Sequence, residues 1–246
     1  MKKPIVIQGA LQSELDYLLN CFEVKNINNI GSCVFYECIY NDYPIIIGKT
    51  KMGEIASAIS TTLTIQKYNP LFILNQGTAG AFVEKLNIGD MVLGERVCYL
   101  SQFSTDENKE VDTVNPWKKE EYKTMDNEVV SYNADEKLLN MLKNLEVLKK
   151  ENIYFGCIGS GDVWTKKTNQ IKKYNKEFGI MCEAMECTGA YMAANTLGTP
   201  LISLRVISNN EIKNLKYDSS ADELSQKLVV DILDELLKTI NNFKTK

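Results

Sequence analysis

Four short apolar runs constrain this chain most, because each breaks off into small and polar residues instead of more core. Residues 4–8 run into Gly9-Ala10-Leu11-Gln12-Ser13-Glu14, and residues 71–74 into Asn75-Gln76-Gly77-Thr78-Ala79-Gly80. Residues 153–158 precede Ser160-Gly161-Asp162-Val163-Trp164, and residues 200–207 precede Ser208-Asn209-Asn210-Glu211. Predominantly apolar runs of this length read as strands covered on both faces. Helical spacing appears between them, in Leu11, Leu15, Leu18 and Leu19, and again in Ile55, Ala58, Ile59, Thr62 and Leu63 before Pro70. Further helices are expected over residues 134–148, 167–178, 185–197 and 220–242. Asn41-Asp42 marks a hairpin between residues 33–40 and 43–48, and another strand covers 90–99. Strands alternating with helices imply an α/β three-layer sandwich, with a central mixed, mostly parallel sheet flanked by helices. The 246 residues contain no repeat or compositional break, so one domain over 1–246 is expected. The polar stretch 101–133, with Phe103, Trp117 and Tyr122, is the candidate for a lid or partner contact.

The sequence contains no histidine, which removes Ser–His and Cys–His nucleophiles, histidine-ligated zinc and imidazole proton shuttles together. Acid–base chemistry then falls to carboxylates, lysine, tyrosine or cysteine. Seven cysteines without a CxxC pair read as free thiols in a reducing compartment. The start MKKPIVIQG enters a strand directly rather than a secretory signal, so a cytoplasmic location is expected. A net charge of −4, with Arg96 and Arg205 the only arginines, argues against a nucleic-acid or anionic-membrane partner. No apolar run is long enough to span a bilayer. Scarce arginine also bears on the choice of nucleophile, since arginine is the usual grip on a phosphate dianion.

Ligands of open α/β sheets bind beyond the carboxyl ends of strands, where the four polar segments fall. Taken singly, each has a plain structural reading. Glu14 fits a solvated first-turn glutamate, 75–80 a glycine turn, Ser208-Asn209 a turn or cap, Trp164 a rim aromatic and Met185 a core residue. Glu186 is different, because a carboxylate opening an apolar helix needs partners.

As an ordered set these segments resemble the methylthioadenosine/S-adenosylhomocysteine nucleosidase family of the purine nucleoside phosphorylase superfamily. The likeness runs from the first strand to the last helix and is weakest over 101–133. It implies a nucleoside phosphorylase-like fold, a small-molecule purine nucleoside as partner, no cofactor and no metal, and a homodimer whose second copy helps close the pocket for the 5′-substituent. Glu14 would polarise the attacking water, and Thr78, Ala79 and Gly80 would line the sugar and base pocket. Trp164 would lie against the purine while the backbone near Thr165 reads the base edge. Met185 would pack on the ribose, and Glu186 would accept hydrogen bonds from its 2′- and 3′-hydroxyls. Arg205 and Ser208 belong to the last motif, which departs from the family at Asn209, where an aspartate would protonate purine N7. An amide donates a hydrogen bond but delivers no proton.

The chemistry suits those roles. Cleavage of an N-glycosidic bond builds positive charge on the ribose, which an anionic Glu186 stabilises in a water-poor site, while Glu14 takes the proton of water. The first loop carries a glutamate and no cation, which favours water over phosphate, although Lys49 and Lys51 leave a phosphorylase as the enzymatic alternative. Asn209 opens three further readings: preference for a 6-oxopurine, replacement of the acid by Glu211 or Asp162, or a nucleoside-binding protein with impaired turnover.

Overall fold

The computed structural model describes residues 2–101 and 131–242. The expected lid segment, with Phe103, Trp117 and Tyr122, lies outside the described residues. The strands are β1 (Ile5–Gly9), β2 (Glu23–Ile30), β3 (Cys33–Tyr40), β4 (Tyr43–Lys49), β5 (Phe72–Ala81), β6 (Met91–Tyr99), β7 (Ser131–Asn133), β8 (Ile153–Ser160), β9 (Ile180–Ala184) and β10 (Leu201–Asn209). The helices are α1 (Asp16–Cys21), α2 (Glu54–Tyr68), α3 (Glu136–Lys143), α4 (Thr168–Phe178), α5 (Cys187–Thr196) and α6 (Ser220–Asn242).

Side chains alternate across a strand, and β1 sorts them into two separate cores. Ile5 and Ile7 join Leu74, Ile45 and the apolar stripe of α6, from Leu228 to Leu237. Val6 faces the other way, with Ile46, Ile73, Ile65 of α2, and Cys187, Ala190 and Tyr191 of α5. Helices on both faces of one mixed sheet give the three-layer arrangement expected from the sequence. The ten pairings divide into five parallel and five antiparallel, with the parallel ones around β1, β5 and β8.

The centre of this sheet is β5. Its first half pairs with β1, Ile5 to Phe72 through Gln8 to Asn75, and its last residues pair with β9, Gly80 to Glu183 and Ala81 to Cys182. Its other edge carries β10 along nearly the whole length. Because β10 continues through β6, β8 and β9 back to β5, this half of the sheet closes on itself, while β1, β4, β3 and β2 extend outward as an open sheet.

Several elements depart from the sequence reading. The helix expected from Leu11 starts only at Asp16, and Leu11 is exposed. Strand β2 had no apolar alternation to announce it, since it is exposed along most of its length, and β9 is a five-residue strand hidden before the helix. The 134–148 helix is shorter, α3 followed by a 3-10 turn at Glu146–Lys149, and Ser131–Asn133 pairs with β6 rather than being irregular. The Asn41-Asp42 turn forms as expected, with φ of 47° and 58°.

Helix α1 has no cap of its own. Gln226 of α6 supplies one: its Oε1 accepts from Tyr17 N (2.8 Å) and Leu18 N (3.3 Å), and its Nε2 donates to Ser13 O (2.8 Å). The C-terminal helix thereby holds the loop that carries Glu14. Gln226→Ala takes the partner from these backbone groups, of which Leu18 N is buried, and is expected to cost about 1–3 kcal/mol in urea unfolding, with a loss of activity at temperatures where the fold persists.

Candidate active site

Where β5 exchanges β1 for β9, the strand ends diverge and leave a cavity of about 230 Å³. The first loop contributes Ala10, Leu11 and Glu14, and β5 contributes Thr78, Ala79 and Gly80. Val163 and Trp164 follow β8, Glu183 to Glu186 come from the end of β9, and Ser208, Asn209 and Tyr217 complete the wall. Nine of the eleven residues singled out from the sequence therefore face one space: Glu14, Thr78, Ala79, Gly80, Trp164, Met185, Glu186, Ser208 and Asn209. Met52, Leu11, Glu183 and Tyr217 complete it without having been expected. Tyr217 meets Trp164 edge-on, ring centres 6.2 Å apart, a contact across a sequence gap that no local pattern reveals.

Glu14 is buried and gripped by backbone. Oε2 accepts from Ala10 N (2.8 Å) and Leu11 N (3.0 Å), and Oε1 accepts from Thr78 N (3.2 Å). A Cβ on Gly77 would lie 2.7 Å from Oε1, so only glycine lets the carboxylate reach its donor on β5. Burial, and then the negative charge of Glu186, push its pKa above the ordinary 4.5 against the Leu11 and Ala10 donors and Arg205. A basic, fixed carboxylate results.

Glu186 stands at the N-cap position of α5, yet its side chain makes no capping bond. It receives Gly53 N (3.3 Å) on Oε1 and Met185 N (3.3 Å) on Oε2, and faces the cavity. The helix start is capped from elsewhere: Ser160 Oγ accepts from Cys187 N (2.9 Å) and Thr188 N (3.3 Å), and the Glu54 carboxylate accepts from Gly189 N and Ser160 Oγ. That relief leaves Glu186 free for a ligand. Glu54 was not anticipated from the sequence, since only the tertiary contact of α2 with α5 makes it a cap. Burial raises its pKa to about 7.

Two of the expected substrate contacts do not line the cavity. Arg205 is fully buried behind it, donating to Asn75 O (2.8 Å) and Asn75 Oδ1 (2.6 Å), with Nη2 3.9 Å from Glu186 Oε2. It balances the charge of Glu186 rather than meeting a ligand. Thr165 turns both its N–H and its hydroxyl to Glu183, at 2.7 Å each. Of the two replacement acids, Asp162 is exposed and accepts from Glu54 N (2.9 Å) beside a second cavity of about 380 Å³, away from Asn209. Glu211 lies closer, accepting from Asn209 Nδ2 at 3.4 Å. No lysine or arginine is among the described residues of the first cavity wall. Lys49 instead donates to Gln12 (3.2 Å), and Lys51 borders the second cavity.

Fold and site together define an α/β protein that brings three carboxyl groups, from the first loop and the end of β9, to one cavity at the strand ends. The chain belongs to the Phosphorylase superfamily, whose model matches residues 4–240. It is 29% identical over 240 residues to the 5′-methylthioadenosine/S-adenosylhomocysteine nucleosidase of Staphylococcus haemolyticus, covering 96% of this chain and 100% of that one. The nucleosidase of the same description from Bacillus pumilus is 27% identical over 239 residues, covering 96% and 97%. Among solved structures, the fold is shared with S-adenosylhomocysteine nucleosidase from Streptococcus pyogenes in complex with 5-methylthiotubericidin (TM-score 0.77, 24% identity, 94% and 96% covered). It is shared equally with futalosine hydrolase of Helicobacter pylori (TM-score 0.77, 23% identity, 95% and 98% covered).

A carboxyl whose folded pKa lies above its unfolded value binds its proton more tightly in the fold. The stability held by Glu54 below about pH 4.5 is therefore lost as pH rises through about 7. Glu54→Gln is expected to flatten the decline of urea stability between pH 5 and 8 by about 1–3 kcal/mol relative to the parent protein.

Proposed function

We propose that this protein hydrolyses the N-glycosidic bond of a purine nucleoside of the 5′-thio-substituted class named in its curated relatives, releasing the base and the ribose derivative. The observation that carries the reading is Glu14, a carboxylate held by three backbone N–H groups in a cavity whose described wall has no Lys or Arg. A buried carboxylate repels a phosphate dianion and suits a neutral water, whose proton it accepts as the oxygen attacks C1′. On the same cavity Glu186 accepts the ribose hydroxyls and opposes the positive charge that grows as the bond breaks, with the Arg205 guanidinium 3.9 Å behind it. Met185 and Trp164 supply apolar and aromatic surface for sugar and base.

The partner we propose is a second copy of this chain. Helices α2 and α5 lie side by side and leave Ile55, Ile59 and Met192 exposed, next to exposed Met52 at the cavity wall. A second copy over that face would cover apolar surface and reach the mouth of the site. Ile55→Glu is expected to shift the protein towards monomer in light scattering and to raise KM.

Product chromatography on 5′-methylthioadenosine, S-adenosylhomocysteine, adenosine and inosine, with and without phosphate, tests the reaction. Free base and ribose without ribose 1-phosphate are expected; a phosphate-dependent rate would overturn the choice of water. Glu14→Gln is expected to lower kcat roughly 10²–10⁴-fold with little change in KM, whereas Glu186→Gln should raise KM and lower kcat together. Asn209→Asp, which restores a proton donor, is expected to speed adenine release by at least tenfold, within the roughly 10²–10⁴ range of general acid help.

A further inference from the structure

The base-facing wall holds a carboxyl that the reaction above does not use. Glu183 on β9 pairs with Gly80 on β5, and Gly80 pairs on its other edge with Asn209 on β10. Residues in one row across a sheet point to the same face, and Gly80 puts no side chain between its neighbours. Glu183 and Asn209, roughly 10 Å apart at two strand spacings, thus look over Gly80 into one cavity.

Each Glu183 oxygen already accepts one hydrogen bond from Thr165, from N to Oε2 and from Oγ1 to Oε1, both at 2.7 Å. A carboxylate oxygen has room for a second donor, and no other protein donor to Glu183 is described. The Thr165 N–H, expected to read the base edge, is occupied by this contact. Whatever fills the cavity therefore meets the acceptor face of Glu183 rather than a free backbone donor. Burial without a nearby cation raises the Glu183 pKa to about 7, which marks a carboxylate short of donors.

Purines differ at this edge. Adenine presents an unprotonated N1 that only accepts, whereas a 6-oxopurine presents N1–H, a donor, beside the acceptor O6. Asn209 accepts from Ser208 Oγ (3.2 Å) through Oδ1 and has a second Nδ2 proton beyond the one given to Glu211, which suits acceptors such as N7 and O6. We infer that Glu183 accepts the N1–H of a 6-oxopurine, so that the base taken by this site is of the hypoxanthine or guanine class. The inference rests on the nucleoside-cleaving reading above and assigns its base specificity. A site built around a substrate N–H rejects the analogue lacking it, because the buried acceptor is left unpaired.

The test compares 5′-methylthioinosine with 5′-methylthioadenosine at pH 8, in the parent protein and in Glu183→Gln, together with calorimetric binding of free hypoxanthine and adenine. The parent protein is expected to favour the inosine compound in kcat/KM by at least about tenfold, and Glu183→Gln, whose amide both donates and accepts, to reduce that ratio about tenfold. Preference of the parent protein for the adenosine compound would overturn the inference, as would a ratio unchanged in the variant. Cleavage of neither nucleoside would sink the hydrolase reading alone. Base binding then decides: tighter hypoxanthine supports the assignment, and equal or tighter adenine rejects it.

Discussion

One edge of β5 cannot hydrogen-bond β1 and β9 at the same positions, so β5 hands its ladder from one to the other near Gln76–Gly80. The backbone on both sides of that exchange is left without a neighbour in the sheet, and the gap opens at the carboxyl ends of the strands, where loops leave. Strand β10, paired along the opposite edge, keeps β5 extended through the exchange and brings Ser208 and Asn209 to the same rim. Both carboxylate-bearing segments of the site are delivered by this arrangement. The first loop falls against β5 because β1 ends there, and the start of α5 falls opposite because β9 ends there.

The second constraint is charge. Glu14, Glu183 and Glu186 share one small cavity, with Glu54 close behind, in a region that holds a single buried cation, Arg205, among the described residues. Their different surroundings separate their behaviour. Glu14 is held by backbone donors, Glu186 has Arg205 behind it, and Glu54 and Glu183 have neutral donors and are pushed up to about 7. Carboxyl groups whose environments differ in this way can divide the work of one reaction between proton acceptor, charge stabiliser and base reader.

The capping of α5 links these two constraints. A polar residue at a helix N-cap ordinarily accepts from the first N–H groups, whereas Glu186 makes no such bond and Ser160 and Glu54 satisfy those groups instead. Position in the chain thus assigns Glu186 to a helix start, and packing of α2 against α5 leaves its side chain to the cavity.

The sequence by itself determined the layered α/β fold and the segments that converge. Buried strands must be apolar and period-two or unbroken, amphipathic helices carry a 3.6 period, and strand ends that bind ligands carry small and polar residues; all three are local signals, legible in 4–8, 71–80, 153–164 and 200–211. Strands β2 and β9 escaped because one is exposed along most of its length and the other is short. Only the tertiary structure decided that Arg205 lies behind Glu186, that Thr165 turns to Glu183, and that Glu54 caps a helix more than 130 residues away. A buried charge takes its role from the partners that surround it, and those partners become neighbours only when distant segments are packed together.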